Sequence, residues 1–322
     1  MVGSLNPAST FLIADEVFNV IRKPDKALQW QSKAILLLVV PWTVASVILQ
    51  AHWWFVQEPT VAWQSLGISV LFGLIVWRLK AATPAGAATG AAITASLMFS
   101  TARYPYRWSW LHGGLVPLLT VFLLTYVATK IGKAKKERIG TGESRRGRNA
   151  AQVAANLGAA ALVATVAVSL GWERGGPAIF VSPLAIAALA EAAADTISSE
   201  IGQVLGGQPR MFITFRRVEI GTDGGVTLLG TAAGALAATV VAAAGTLAIA
   251  SWSTGGGAWD WFVFTVSVSG AIFGLLFDSL LGATLERKGL LNNDAVNFLS
   301  TAATVAISAA AGILLFGIFL RV

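Results

Sequence analysis

The chain has 322 residues, of which 55% are hydrophobic and only 12% charged, with a mean hydropathy of +0.69. A soluble domain carries about 25% charged residues, so there is too little polar surface to face water on all sides and most of the chain belongs in lipid. The absence of cysteine excludes disulfide and thiolate chemistry, and His52 and His112 alone are too few for a multi-histidine metal site.

Taken in order, the first 32 residues are mixed polar, with Arg22, Lys23 and Lys26 and no small-residue cleavage pattern, so no cleaved signal is expected. Within them Phe11, Leu12, Val17, Phe18 and Ile21 form an amphipathic stretch over 10–21 suited to a membrane surface. Nine apolar runs follow, at about 34–54, 60–78, 83–101, 113–131, 150–170, 178–201, 226–250, 259–282 and 296–319. Each approaches the roughly 20 residues that one bilayer crossing needs. The expected fold is therefore all-α, a polytopic integral membrane protein of about nine transmembrane helices.

The basic residues set the orientation. With the N-terminus in the cytoplasm, the inner segments hold 19 of the 23 Lys and Arg, eight of them in the 130–149 loop. The outer segments keep only Arg103, Arg107, Arg174 and Arg321, as the positive-inside rule requires. The C-terminus is then outside. Several tryptophans, among them Trp53, Trp54, Trp63, Trp108, Trp110, Trp172 and Trp252, fall near the outer ends like an interfacial belt. Because the +7 net charge is distributed in this way, it points to anionic lipid headgroups and not to a nucleic acid polymer.

Ionisable groups inside a membrane are costly and default to a functional reading. The sixth run ends in Glu191, Asp195 and Ser199, spaced i, i+4, i+8 on one helical face. Adjacent carboxylates repel unless a cation, a proton or a basic partner lies between them, and a hard ion such as Mg²⁺ suits oxygen-only ligands. The competing reading is a buried carboxylate hydrogen-bonded to its neighbours. Asp278, near the inner end of the eighth run, sits in an Asp-Ser pair that echoes Asp195-Thr196. Gly224-Gly225-Val226-Thr227 and Asp294-Ala295-Val296-Asn297 echo each other after the two acids. This resembles a degenerate internal repeat in the C-terminal half, or else coincidence within Ala/Leu/Thr-rich spans. As a repeat it would bring Asp195 and Asp278 together.

The 130–149 loop closes with Arg145, Arg146 and Arg148, and a polar stripe of Asn149, Gln152 and Asn156 continues down the fifth run. Such amides serve as interhelical glue or, beneath an arginine cluster, as ligands for phosphate. Arg210, Arg217, Thr222, Gly224 and Gly225 lead into the seventh run, where a glycine-rich helix start can receive an anion. Asn293 and Asn297 occupy the corresponding place before the ninth. No Walker loop, dinucleotide fingerprint, zinc-protease motif or serine elbow occurs.

From Lys80 onward the chain resembles the membrane family that contains the plant phytyl-phosphate kinase of vitamin E synthesis and animal transmembrane protein 19. The matching segments are Ala82–Ala87, Arg148–Asn156, Ala190–Gly202, Gly221–Gly230, Asp278–Thr284 and Asn292–Asn297. The resemblance implies phosphate transfer from a nucleoside triphosphate, with CTP the candidate, to an isoprenyl monophosphate lipid. Under it Glu191, Asp195 and Asp278 are catalytic and, with Ser199, hold Mg²⁺. Arg145, Arg146, Arg148, Arg210 and Arg217 neutralise phosphate, aided by Asn149, Gln152, Asn156 and Thr222. Gly224, Gly225, Asn293 and Asn297 shape the nucleotide site. Residues 1–79 would form an N-terminal segment with two accessory spans. Residues 80–322 would be the catalytic membrane domain, with its active face on the cytoplasmic side of a prokaryotic membrane. A secondary transporter of a small anion or lipid-linked substrate is the alternative, since paired acids also suit ion coupling.

Overall fold

The computed structural model describes residues 28–102, 113–142, 146–169, 181–251 and 257–319. The amphipathic stretch 10–21, Arg145, and the outer-loop residues Arg103, Arg107, Trp108, Trp110, Trp172, Arg174, Trp252 and Arg321 lie outside the described residues. The described chain is almost wholly helical. Helices α1 (Gln29–Gln57), α2 (Pro59–Arg78), α3 (Pro84–Thr101) and α4 (Leu115–Lys130) precede the short α5 (Lys133–Arg138). Then come α6 (Ala150–Ser169), α7 (Val181–Leu205), α8 (Leu228–Gly245), α9 (Ala258–Leu281) and α10 (Asn293–Phe319). Between α7 and α8, β1 (Arg210–Met211) pairs antiparallel with β2 (Gly225–Val226). Wider π-turns follow α8 at Thr246–Ser251 and α9 at Gly282–Glu286.

Among the described residues, five helices are long and apolar enough to cross a membrane: Gln29–Gln57, Pro59–Arg78, Leu228–Ile249, Ala258–Glu286 and Asn293–Leu315. Leu115–Lys130 and Ala150–Val166 are apolar but shorter. The remaining two expected runs fall on α3 and α7, which are helical. α7 is interrupted by the carboxylates discussed below. Large apolar side chains stand out from the bundle, including Leu37, Leu49, Leu236 and Ile313. In water such a surface would be an aggregation liability, whereas against lipid tails it is at home.

Helix starts follow local chemistry. Glu58 breaks α1 in an extended conformation and Pro59 opens α2. Thr83 and Thr227 cap α3 and α8 by accepting from the backbone N–H groups of Gly86 and Gly230, both at 3.1 Å. Asn292 caps α10 in the same way, its Oδ1 receiving Ala295 N–H at 2.8 Å.

α7 is the central element, packed by α4, α6, α8, α9 and α10. Its middle turns are mostly alanine, and Ala187, Ala190, Ala193 and Ala194 are buried. Small side chains let backbones approach, which matters in lipid because no hydrophobic drive pulls helices together there. The closest approach is to α8, whose Gly230 and Gly234 form a Gly-xxx-Gly face. A Cβ at Gly234 would lie 2.6 Å from the Ala194 carbonyl oxygen and 2.9 Å from Ser198 Cβ. Gly234→Leu is therefore expected to push α8 off α7 and to cost about 1–3 kcal/mol, read as a lower melting temperature in micelles.

α1 is tied to the far end of the chain. The Gln31 side chain accepts from Asn292 N–H at 2.8 Å and donates to the Leu290 carbonyl at 2.9 Å. Asn292 Nδ2 donates to the Leu28 carbonyl and Ser32 Oγ, and Ser32 Oγ donates to Asp294. The helix expected to be accessory thus holds the start of α10.

Candidate active site

The loops after α5, α7 and α9 and the start of α10 meet at one end of the bundle around a polar cavity of about 310 Å³. Asp195, Ser199 and Gln203 enter it from successive turns of α7, Asp278 from the end of α9, and Asn293 and Asn297 from α10. Thr222, Asp223, Gly224 and Gly225 cover it, and Glu286 and Thr141 complete the rim. The cover is held by the β1–β2 pair and by Gly224. That glycine has φ +71° and packs so tightly on the turn after α9 that a Cβ would lie 2.2 Å from Ala283 N. Both the left-handed backbone and the contact require glycine.

Three helices contribute to the acidic centre. Asp195 and Asp278 approach within hydrogen-bonding reach of each other, and Asp278 Oδ2 is buried without a partner. The pairing anticipated from the two Asp-Ser/Thr echoes is present. Glu191, one turn below Asp195, is buried beneath the cavity and accepts from Ser300 Oγ at 2.7 Å. It is a neighbour of the aspartates but does not line the cavity. Ser300 is a site residue that sequence reasoning missed, although it lies one turn beyond Asn297 on α10. Glu200, four residues beyond Thr196, turns away to Lys136.

The basic and amide residues divide. Arg148 is absent from the cavity lining, donates to Thr196 Oγ1 at 3.3 Å, and sets its charge close enough to act on Asp195. Asn149 and Gln152 cap α6 reciprocally. Asn149 N–H donates to Gln152 Oε1 at 2.8 Å and Gln152 N–H to Asn149 Oδ1 at 3.0 Å, a capping box that engages the side chains expected at phosphate. Asn156 donates to the Gln152 carbonyl. Arg210 and Arg217 face each other across a bridge on the exposed hairpin, where Arg210 donates to the Phe215 carbonyl. Neither lines the cavity, and the exposed Arg146 does not either.

The cavity lining thus holds four carboxylates, Asp195, Asp223, Asp278 and Glu286, and among the described residues no Lys, Arg or His. No three Asp, Glu or His side chains among the described residues converge as a ready-made metal cage. Chemically the cavity can receive a cation between two aspartates, with the amides of Asn293, Asn297 and Gln203 beside it.

A family model described as "Integral membrane protein DUF92" matches residues 67–305. The chain belongs to the DUF92 family. An uncharacterised membrane protein of Methanocaldococcus jannaschii is 35% identical over 188 residues, covering 58% of this chain and 71% of the relative. Protein PGR of Arabidopsis thaliana is 31% identical over 236 residues, covering 62% and 81%. Protein VTE6, chloroplastic, from the same plant, is 27% identical over 255 residues, covering 76% and 70%. No solved structure matches at a significant level. Every cavity-lining residue of this DUF92 protein falls inside the matched span, whereas α1 lies before it.

Proposed function

We propose that the protein is a membrane-embedded isoprenyl-phosphate kinase. It transfers the γ-phosphoryl group of a nucleoside triphosphate, CTP being the candidate donor, to a phytyl-type lipid monophosphate. The carrying observation is the polar cavity with the opposed Asp195–Asp278 pair, at the same end of the bundle as Arg148. The resemblance to the family of the plant phytyl-phosphate kinase supports this reading, and the similarity to chloroplastic VTE6 is in keeping with it. In the reaction a phosphate oxygen of the lipid attacks the γ-phosphorus. The bond from that phosphorus to the β–γ bridging oxygen breaks, and the nucleoside diphosphate leaves with the electron pair. Neither a nucleophilic side chain nor a covalent intermediate is needed, because positioning and charge neutralisation supply most of the catalysis.

The lining residues fit Mg²⁺. Mg²⁺ is usually held by one or two carboxylates together with substrate phosphates, and the cavity offers Asp195 and Asp278, the latter with an unpartnered oxygen. When bound, the ion would screen the nucleotide's phosphates from these acids. A cavity whose described lining holds four carboxylates and no basic side chain repels a bare triphosphate, so the carboxylates favour entry of the nucleotide as its metal complex. The turn of Thr222 to Gly225 lines the cavity, and Asn293 and Asn297 offer amides to phosphate oxygens there. Arg148 stands beside Thr196 and lines the neighbouring apolar slot, from which a lipid phosphate would come.

In the same reading the chain crosses a prokaryotic cytoplasmic membrane nine times. The N-terminus and the cavity face the cytoplasm, and α7–α8 and α9–α10 are the two copies of a repeat. Purified protein in lipid nanodiscs, given phytyl monophosphate, CTP and Mg²⁺, is expected to form phytyl diphosphate and CDP in equal amounts, read by mass spectrometry. Protein that melts cooperatively yet forms no diphosphate with any nucleoside triphosphate would reject the reading. A carrier is the second reading. It is favoured by Thr304 and Ser308, whose buried hydroxyls lack partners and extend a polar track along α10 past Ser300. Uptake into proteoliposomes without turnover would select it.

A further inference from the structure

A second concavity, of about 110 Å³, lies beside α7, which contributes Ala192 to its lining. It forms because α4 packs mainly on α7 and α8 and barely touches α3. A slot is left between α2, α4 and α6. Its walls are apolar, with Phe72 on α2, Val121 and Phe122 on α4, and Leu157 on α6.

The aromatic groups run toward one end. Phe72 meets Phe122 edge to face at 5.4 Å, Phe122 stacks on Tyr126 at 5.6 Å, and the Lys130 ammonium lies 4.9 Å from the Tyr126 ring centre. Lys80 and Arg148 join Lys130 in the lining, and among the described residues no carboxylate does. The loop carrying Lys80 is built rigidly. Lys80 itself has φ +55°, the left-handed region that a side chain adopts only under constraint. The next residues clamp Arg148 on both sides. Arg148 N–H donates to the Ala81 carbonyl at 3.0 Å, and Thr83 N–H to the Arg148 carbonyl at 2.9 Å.

The geometry points to this slot as the binding site for the lipid substrate, a prenyl monophosphate. Its hydrocarbon chain would lie along the aromatic wall and its phosphate among Lys80, Lys130 and Arg148. Resting on the phosphotransfer reading, this assigns the acceptor to the apolar slot and the nucleotide to the polar cavity. Charge complementarity selects the occupant. Two exposed lysines, Lys80 and Lys130, at one end of an apolar slot, with no carboxylate among the described lining residues, match an amphiphile with a compact anionic head. Ala192 and Arg148 line the slot, and Arg148 reaches Thr196, the neighbour of Asp195 in sequence, so a phosphate held by Arg148 lies beside the carboxylate cavity.

The test is photolabelling of the full protein in nanodiscs with farnesyl monophosphate carrying a terminal diazirine, without nucleotide. Labels are expected on Phe72, Phe122 or Leu157. Phytyl monophosphate should compete, and phytol and dioleoyl phosphatidic acid should not. Lys80 and Lys130 are exposed, so the double variant Lys80→Gln, Lys130→Gln should melt as the parent does. It should lose about tenfold or more in labelling while Mg²⁺–CTP still raises its melting temperature as in the parent. Labels elsewhere, equal competition by phosphatidic acid, or labelling indifferent to the double variant would overturn the assignment. The readout needs no turnover. A labelled slot in an inactive protein counts against the kinase reading alone, and an active kinase labelled elsewhere counts against the slot alone.

Discussion

Asp278→Asn is expected to lower the rate of phosphate transfer by about 10²–10³-fold and to leave the protein at least as stable as before. The two effects share one cause. Asp278 and Asp195 face each other in a buried setting with Glu191 and Glu286 nearby, and like charges so placed oppose folding until a cation or proton comes between them. Asparagine keeps the shape and removes one charge, so the melting temperature in Mg²⁺-free buffer should hold or rise while the cation site is lost. Such a trade of stability for activity is common where a site stores unfavourable charge. Asp195→Asn should be as inactive but should gain no stability, because Arg148 then loses the carboxylate its charge acts on. Measuring melting with and without Mg²⁺ alongside turnover separates the roles. An Asp278→Asn protein that is both inactive and less stable would make Asp278 a structural residue.

Lys136→Met is expected to have the largest effect on stability, about 3–5 kcal/mol. Lys136 is 2% exposed although it sits in a run of basic residues. Its ammonium pairs with Glu200 on α7 and donates to the carbonyls of Ala128 and Thr129 at 3.2 and 2.8 Å. Thr129 Oγ1 donates to the other Glu200 oxygen at 3.1 Å. One side chain therefore satisfies the carbonyl end of α4 and a half-buried carboxylate together. Methionine fills the space but leaves both unpaired. Adding Glu200→Gln should recover part of the loss, which a double-mutant cycle in denaturant or heat would measure. If the double variant is no more stable than Lys136→Met, the pair does not carry the effect.

The helices were legible because apolar runs, and Pro or Thr at their starts, are local signals. The Asp195–Asp278 pairing was legible for a different reason. Both acids stand near the same ends of their spans, and similar flanking residues hinted at similar placement. What local pattern cannot give is the direction taken by a long side chain or a loop. Glu191 shares a helical face with Asp195, yet α10 supplies Ser300 to hold it below the cavity. Asn149 and Gln152 have the spacing of a phosphate-facing stripe and equally that of a helix cap, and the backbone N–H groups of α6 claim them. Arg210 and Arg217 belong to a hairpin whose fold turns them outward. Asp223 and Glu286 look like ordinary loop acids until the Gly224 turn closes on Ala283 and brings both to the rim. Lys136 was hidden among its neighbours, since a basic run at a membrane boundary has an adequate reading as surface charge.

The hydrogen bond between Gln31 and Asn292 joins residues 261 positions apart. Asn292 caps the helix that carries Asn293 and Asn297 into the cavity, so that wall cannot take its final place until synthesis has passed Asn292 and α10 has entered the bilayer beside α1. Until then α1 waits with Gln31 and Ser32 unmatched, and the cavity stands open on that side. Biogenesis therefore has a built-in order. A ribosome-stalled chain ending before α10 should remain sensitive to protease near α1 and unable to bind nucleotide, and competence should arrive in one late step with the closing of the ring of helices.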